Sequence, residues 1–140
     1  VAAPIPNLLT AAQPTAVQVA ELQELGYDHF ISLQLPNEPG AGWEESGIPD
    51  AGGSFQRIPV GSPTDLTREN VEMLAAALER AGDEETVLYC ASSNRVGAML
   101  ALKAFWLDGA TPEEALSLGR RAGMRALEPD VRSIMEEQGS

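Results

Sequence analysis

The apolar positions of the chain follow two periods, which predict alternating strands and helices. Runs of aliphatic, β-branched and aromatic residues predict strands at 30–35, 55–60 and 86–89. Apolar residues at helical spacing predict helices at 14–25, 68–81, 95–107, 112–122 and 128–137. Pro14 and Pro112 lie near helix starts, and Thr67 is a suitable N-cap. The pattern therefore divides most of the chain into short elements of both kinds.

The order of these elements predicts an α/β fold. Strands alternating with helices favour a small, mostly parallel sheet with helices on both faces, in one domain spanning residues 1–140. Pro59 indicates that the strand at 55–60 lies at the sheet edge or ends there. The proline- and glycine-rich stretch 36–54 predicts a long loop, and loops of that length are often functional. Ligands of such sheets bind at the carboxyl ends of the strands.

Composition narrows the classes of function. A chain of 140 residues with 44% hydrophobic content fits one core, and no apolar stretch reaches the length of a membrane helix. A net charge of −12 opposes binding to nucleic acid or to an anionic membrane. The single cysteine excludes an internal disulfide and a thiolate-rich metal site, and His29 is the only histidine. The oligomeric state is not predicted.

The first residues allow two cellular locations. The chain begins Val1-Ala-Ala-Pro4 without a methionine. A small-residue start fits signal-peptide cleavage and a periplasmic protein, and it equally fits a chain cut at a domain edge. We slightly favour the cytoplasm.

The cysteine lies where a buried strand should pass into a helix. Cys90 follows the strand at 86–89, small polar residues come next, and Arg95 opens an apolar helical run. A tight loop in this position directs backbone N–H groups and a helix N-terminus into one concavity, which favours an anion. The same dipoles and the Arg95 guanidinium favour the thiolate form of Cys90. We therefore place the candidate chemistry at residues 90–95.

Four segments together carry a resemblance to a known family. Gln13-Pro14-Thr15, the strand at 30–35, Arg57-Ile-Pro-Val60 and Tyr89-Cys90-x4-Arg95 resemble the phosphatase-like domain of beta-lactamase-hydrolase-like proteins. That family is similar in fold to cysteine-dependent dual-specificity phosphatases, and the resemblance extends from about Pro6 to Met135. It implies a phosphate-binding loop with Cys90 as nucleophile and Arg95 as the phosphate-gripping residue. Relatives fused to persulfide-handling enzymes imply a sulfur-related role as an alternative.

The chain departs from the phosphatase pattern at several positions. Four residues separate Cys90 from Arg95, namely Ala91, Ser92, Ser93 and Asn94. Cysteine-dependent phosphatases usually have five, whereas rhodanese sulfurtransferases share the shorter spacing. Val96 replaces a hydroxyl residue that assists the departing thiolate, and Gln34 stands where relatives tend to carry arginine. The expected general acid falls near Gly61, and the nearest acidic residue is Asp65. Each departure argues against a fast phosphatase.

Other candidate site residues each have a structural interpretation as well. Asp65 is the candidate general acid or, on the alternative we favour, a turn residue before the helix at 68–81. Glu38 and Asp50 are weaker candidates for the same role. The backbone amides of Ala91, Ser92, Ser93, Asn94 and Val96 form the predicted anion-binding loop. Trp43 is either an aromatic lid or a surface residue, and Gln13 is a candidate contact to the loop.

Three hypotheses follow. The leading one is hydrolysis of a phosphomonoester through a phosphocysteine intermediate, with an anionic, phosphorylated substrate and no metal or organic cofactor. The first alternative is a rhodanese-like sulfurtransferase with a persulfide on Cys90, favoured by the four-residue spacing. The second is a catalytically weak anion-binding or interaction module, favoured by Val96 and the missing acid.

Overall fold

The structure is a computed structural model that describes most of the chain. It covers residues 2–5, 8–35, 38, 47–48, 52–82, 84–90 and 94–138. Five of the candidate site residues named above lie outside this described part: Trp43, Asp50, Ala91, Ser92 and Ser93.

The described residues form an α/β arrangement. The strands are β1 (Ala2–Ile5), β2 (Leu8–Ala12), β3 (His29–Ser32), β4 (Ser54–Arg57) and β5 (Thr86–Cys90). The α-helices are α1 (Ala16–Glu24), α2 (Arg68–Ala81), α3 (Asn94–Leu107), α4 (Pro112–Ala122) and α5 (Glu128–Gln138). A short 3-10 turn, Pro63–Asp65, precedes α2. The predicted fold class is confirmed.

The strands form one sheet with β5 at its centre. The order is β1-β2-β5-β3-β4, and β2, β5, β3 and β4 run parallel. β1 pairs antiparallel with β2. β4 lies at an edge, as Pro59 indicated. In this order β5 has a parallel neighbour on each side, and all five of its residues are buried. A continuous apolar run is typical of such a strand.

Helices cover both faces of the sheet, as predicted. Along β5, Val87 and Tyr89 pack on the side of α1, in a cluster that includes Val19. Leu88 and Cys90 point to the other side, into the larger core formed with α2 to α5. This alternation is the period of two that an extended strand imposes on its side chains.

Side-chain caps fix the starts of three helices. Thr15 and Thr111 each accept a hydrogen bond from the backbone N–H three residues on, and each forms a reciprocal capping box. Thr67 accepts from the Asn70 N–H, as its sequence position predicted. None of the helices in the described ranges is long and apolar enough to cross a membrane.

The first two strands are the part of the fold that the pattern did not predict. Residues 2–12 carry prolines and alanines, which have low strand propensity. Leu8 and Ala11 are nevertheless buried, and β2 pairs with β5 over its whole length. Burial beside the central strand outweighs the weak local preference of this segment.

Two glycines bring α3 and α4 into close contact. A Cβ atom added at Gly97 would lie 2.4 Å from the Met124 backbone nitrogen and 2.5 Å from the Gly119 carbonyl oxygen. Both distances are far below van der Waals contact. The first turns of α3, which follow the candidate loop, are therefore seated directly on the backbone of the segment after α4.

Candidate active site

Cys90 is the last residue of the central strand. Its side chain is fully buried, and in the register of the sheet it lies beside Ala12 at the end of β2. The Tyr89 carbonyl, one residue earlier, accepts a hydrogen bond from the Leu33 N–H just after β3. The thiol thus sits at the carboxyl end of β5, between the ends of two parallel neighbours, where such sheets bind ligands.

Arg95 lies in the first turn of α3 and points its guanidinium at a carboxylate. Nη1 donates to Glu38 Oε2 at 2.7 Å and to the Val60 carbonyl at 2.7 Å, and Nη2 donates to Glu38 Oε1 at 2.8 Å. A guanidinium carries five N–H groups in a rigid fork, so three are used here. Among the contacts of the described residues, Glu38 and Val60 do not use one N–H on Nη2 or the N–H on Nε.

Glu38 is held as an ionised carboxylate. It also accepts from the Leu35 N–H at 2.7 Å, and its side chain is 20% exposed. The hydrogen bonds from Arg95 are the main cause that lowers the pKa of Glu38 to about 2. Glu38 therefore has no proton to donate at neutral pH. The structure contradicts its interpretation as a weaker candidate acid.

Arg95 interacts with the thiol as well as with Glu38. The pKa of Arg95 is raised above its ordinary value, first by the hydrogen bonds to Glu38 and further by its interaction with Cys90. A cation at a helix N-terminus opposes the helix dipole, so an anionic partner stabilises Arg95 in this position. Glu38 is that partner, and Cys90, Arg95 and Glu38 lie together at the end of β5.

Two glutamines bridge the end of the central strand. Gln34 Nε2 donates to Gln13 Oε1 at 2.8 Å, and the Gln34 side chain is buried. Gln13 follows β2 and Gln34 follows β3, with β5 between them in the sheet order. Gln13, predicted as a contact to the loop, is thus placed at this end of the sheet with its carbonyl on Gln34.

Asp65 lies in the segment that follows β4, and its carboxylate belongs to a turn. Oδ2 accepts from the Gly61 N–H at 2.9 Å, and the Asp65 backbone carbonyl accepts from Asn70 Nδ2 at 2.8 Å. Gly61 directly follows Val60, whose carbonyl binds Arg95. Asp65 therefore follows a residue that binds Arg95 by only a few positions. The hydrogen bond from the Gly61 N–H to its carboxylate stabilises the turn before α2.

Side-chain contacts within the fold anchor the end of the predicted loop. Asn94 Oδ1 accepts from the backbone N–H groups of Arg125 at 2.8 Å and Leu127 at 3.2 Å. Val96 is fully buried in the core. The Val96 side chain and Asn94 Oδ1 are thus taken up by contacts within the fold. The loop residues Ala91, Ser92 and Ser93 and the candidate lid Trp43 fall among the residues that are not described.

Replacing Glu38 by glutamine is expected to loosen Arg95. The amide keeps the shape of the carboxylate but loses the charge that holds two N–H groups. The folded pKa of about 2 lies below the ordinary 4.5. The pair therefore stabilises the fold above about pH 4.5, and its contribution disappears as the pH falls towards 2. After solvent screening we expect a contribution of about 1–2 kcal/mol.

Denaturant unfolding of the Glu38→Gln variant between these pH values measures that contribution. At neutral pH the variant should be less stable than the parent. On acidification its free energy of unfolding should fall by less than that of the parent. Glu69→Gln, an exposed carboxylate in the first turn of α2, is the control. Identical pH profiles for the parent and Glu38→Gln would show that the pair carries no stability.

Comparison with known proteins gives fold neighbours only. No protein-family model matches the sequence, and no curated protein sequence matches it. A candidate phosphatase from Neisseria meningitidis superposes with a TM-score of 0.77 at 18% identity, covering 98% of this chain and 97% of its own. A candidate phosphatase of the DUF442 group from Shewanella putrefaciens gives 0.71 at 21% identity, covering 95% and 84%.

A third neighbour has a ligand bound. A TpbA variant from P. aeruginosa, solved with phosphotyrosine, gives a TM-score of 0.63 at 18% identity and covers 94% of this chain and 78% of its own. At such identities the likeness establishes the fold alone. The fold is that of cysteine-dependent phosphatases, as the resemblance predicted.

Proposed function

We propose that this chain, folded as cysteine-dependent phosphatases are, is a phosphatase-like hydrolase that acts on a phosphomonoester through a phosphocysteine intermediate. The observation that carries the proposal is the cluster at the end of β5. Cys90 lies at the carboxyl end of the central strand, and Arg95 interacts with it while Glu38 holds the guanidinium. This arrangement supplies a nucleophile and a fixed cation at the place where a phosphate would bind.

In the first step, the Cys90 thiolate attacks phosphorus and the bond to the ester oxygen breaks. The two N–H groups of Arg95 that Glu38 and Val60 do not use would hold oxygens of the phosphoryl group, together with amides of the loop. The leaving oxygen takes a proton from water or from an acid. In the second step, water attacks phosphorus, the S–P bond breaks, and inorganic phosphate leaves with the thiolate restored.

The proposed substrate is an anionic phosphate ester with a good leaving group. A neighbour of the same fold binds phosphotyrosine, which is an aryl phosphate. Asp65, the candidate acid, already bonds to the Gly61 N–H. A phenolate needs less protonation than an alkoxide, so we expect aryl phosphates to react slowly and alkyl phosphates more slowly still.

The four-residue spacing favours a second candidate, a sulfurtransferase. The loop from Cys90 to Arg95 has one residue fewer than the usual phosphatase loop, so it presents a smaller ring of amides. In this reaction the Cys90 thiolate would take the outer sulfur of thiosulfate, with release of sulfite, and the resulting persulfide would pass that sulfur to cyanide, which releases thiocyanate and restores the thiolate. The buried Val96 and the turn-bound Asp65 favour instead a third candidate, a catalytically weak anion-binding module.

One experiment separates the three candidates. Release of phosphate from an aryl phosphate and thiocyanate formation from thiosulfate and cyanide are measured side by side on the same protein. We expect slow phosphate release, with Asp65→Asn changing the rate by no more than about twofold, because an aryl leaving group needs little acid. Thiocyanate formation without phosphate release would establish the sulfurtransferase. Phosphate binding with neither activity would establish the binding module.

A further inference from the structure

A serine, a histidine and a glutamate meet at the end of the sheet opposite Cys90. Ser54 and His29 are register partners at the starts of β4 and β3, and His29 Nδ1 lies 2.9 Å from Ser54 Oγ. His29 Nε2 lies 3.1 Å from Oε1 of Glu84, which precedes β5 by two residues. The starts of three parallel strands thus bring a nucleophile, a base and a carboxylate together.

The glutamate determines which nitrogen of the neutral histidine carries the proton. A carboxylate only accepts hydrogen bonds, so His29 Nε2 donates to Glu84 and Nδ1 keeps a lone pair. The Ser54 hydroxyl lies within hydrogen-bond distance of that lone pair and donates to it. His29 is therefore oriented as a general base for Ser54, and Glu84 has the role of the orienting carboxylate.

The backbone of Glu84 is fixed on both sides of the side chain. Its N–H donates to the Ala81 carbonyl at 3.0 Å, and its carbonyl accepts from Thr86 Oγ1 at 3.1 Å. The His29 side chain is only 24% exposed. The base is thus partly shielded from water, and the carboxylate extends from a held segment of backbone.

A cavity of about 260 Å³ opens beside these side chains, between β4 and α2. His29 and Ser54 line it together with Ile31, Ala77 and Arg80. The first two of those neighbours give it an apolar wall, and Arg80 contributes a positive charge. Pockets that hold drug-sized ligands have volumes of roughly 300–1,000 Å³, so this cavity suits a small molecule.

Two donors are available for negative charge that develops on a substrate. The Ser54 N–H donates to the Asp28 carbonyl, on the side of β3. Because successive N–H groups of a strand alternate in direction, the Phe55 N–H faces the other edge of β4, where no described strand pairs with it. An N–H one residue after the nucleophile and the Arg80 guanidinium in the same cavity suit the stabilisation of an oxyanion.

We propose that Ser54, His29 and Glu84 form a separate catalytic site, which hydrolyses small carboxylic esters without Cys90. Ser54 Oγ attacks the carbonyl carbon while its proton passes to His29 Nδ1, and the alcohol leaves with that proton as the ester C–O bond breaks. Water then attacks the acyl-serine and gives a proton to Nδ1. The acid leaves as that proton returns to Ser54. Glu84 is a positioning residue, since it acts through His29.

The test measures hydrolysis of p-nitrophenyl acetate by the Cys90→Ser protein, in which the thiol cannot contribute. Ser54→Ala in this protein should lower the rate by at least about tenfold. Ser62→Ala is the matched control and should keep the rate, because the Ser62 hydroxyl is paired with Thr64. Glu84→Gln should lower kcat with little change in KM, because an amide can donate to Nε2 and so permits the other tautomer of the histidine.

A fluorophosphonate locates the nucleophile in the parent protein, without any substitution. It should phosphonylate Ser54 with loss of fluoride, which the mass of the peptide that contains Ser54 would show. Ester hydrolysis no faster than that by the same concentration of imidazole overturns the inference. An unlabelled Ser54, or a rate that survives Ser54→Ala, also overturns it. Each of these outcomes leaves the proposed phosphate chemistry of Cys90 standing.

Discussion

Replacement of Cys90 by serine is expected to abolish phosphate release from an aryl phosphate, with a loss of at least about a thousandfold. A serine hydroxyl is nearly the same size as the thiol, but it stays protonated and is a poor nucleophile in this site, since no described group acts as its base. Arg95 and Glu38 remain in place, because neither bond of that pair involves Cys90. The effect should therefore appear in the chemical step.

Anion binding separates loss of chemistry from loss of structure. Phosphate should still raise the melting temperature of Cys90→Ser by mass action, since the donors of the site are unchanged. Hydrolysis that persists in this variant would remove Cys90 from the reaction. Loss of hydrolysis together with loss of the phosphate effect would mean that the substitution disturbs the site itself.

Lysine in place of Arg95 is expected to lower kcat/KM for an aryl phosphate by about a hundredfold or more. Lysine keeps the charge but has no planar fork, so it cannot bond both oxygens of Glu38 and still present two N–H groups to an anion. The stabilisation of the protein by phosphate should shrink in the same variant. Steady-state kinetics and melting curves at several phosphate concentrations measure both effects.

Arg68→Lys is the matched control for this substitution. Arg68 also lies in the first turn of a helix and faces a carboxylate, Glu72, at 3.7 Å, but its side chain is 55% exposed. Exposed pairs contribute little, so this variant should behave as the parent does. Equal losses in both variants would trace the effect to general charge placement. An unaffected Arg95→Lys would show that the guanidinium does not hold the substrate.

The secondary structure on either side of Cys90 could be predicted because residues adjacent in the sequence determine it. The apolar run at 86–89 favours a buried strand beside parallel neighbours, and Arg95 opens an apolar run at helical spacing. Thr67 and Pro112 marked helix starts in the same local way. These elements agree with the structure because propensity, pattern and capping favour the same conformation.

The partners within the site could not be predicted because they are distant in the chain. Glu38 and Arg95 are 57 residues apart, and Glu38 lies in a loop without any period. Asn94 reaches the backbone of residues 31 and 33 positions later. Gln13 and Gln34 meet only because β2 and β3 flank β5, and β2 itself has too little strand propensity to be recognised. Tertiary packing decides each of these contacts.

The close packing of α3 against α4 limits how the segment between Cys90 and Arg95 can change in length. Gly97 rests on the Gly119 carbonyl and the Met124 nitrogen with no room for a methyl group, and Asn94 is tied to the segment before α5. The helix that carries Arg95 therefore cannot slide along its axis to absorb an extra residue. A residue inserted after Cys90 has to bulge out of the loop while the guanidinium stays where it is. A longer segment between Cys90 and Asn94, by engineering or by evolution, thus changes what lies between the thiol and the guanidinium without moving the guanidinium itself.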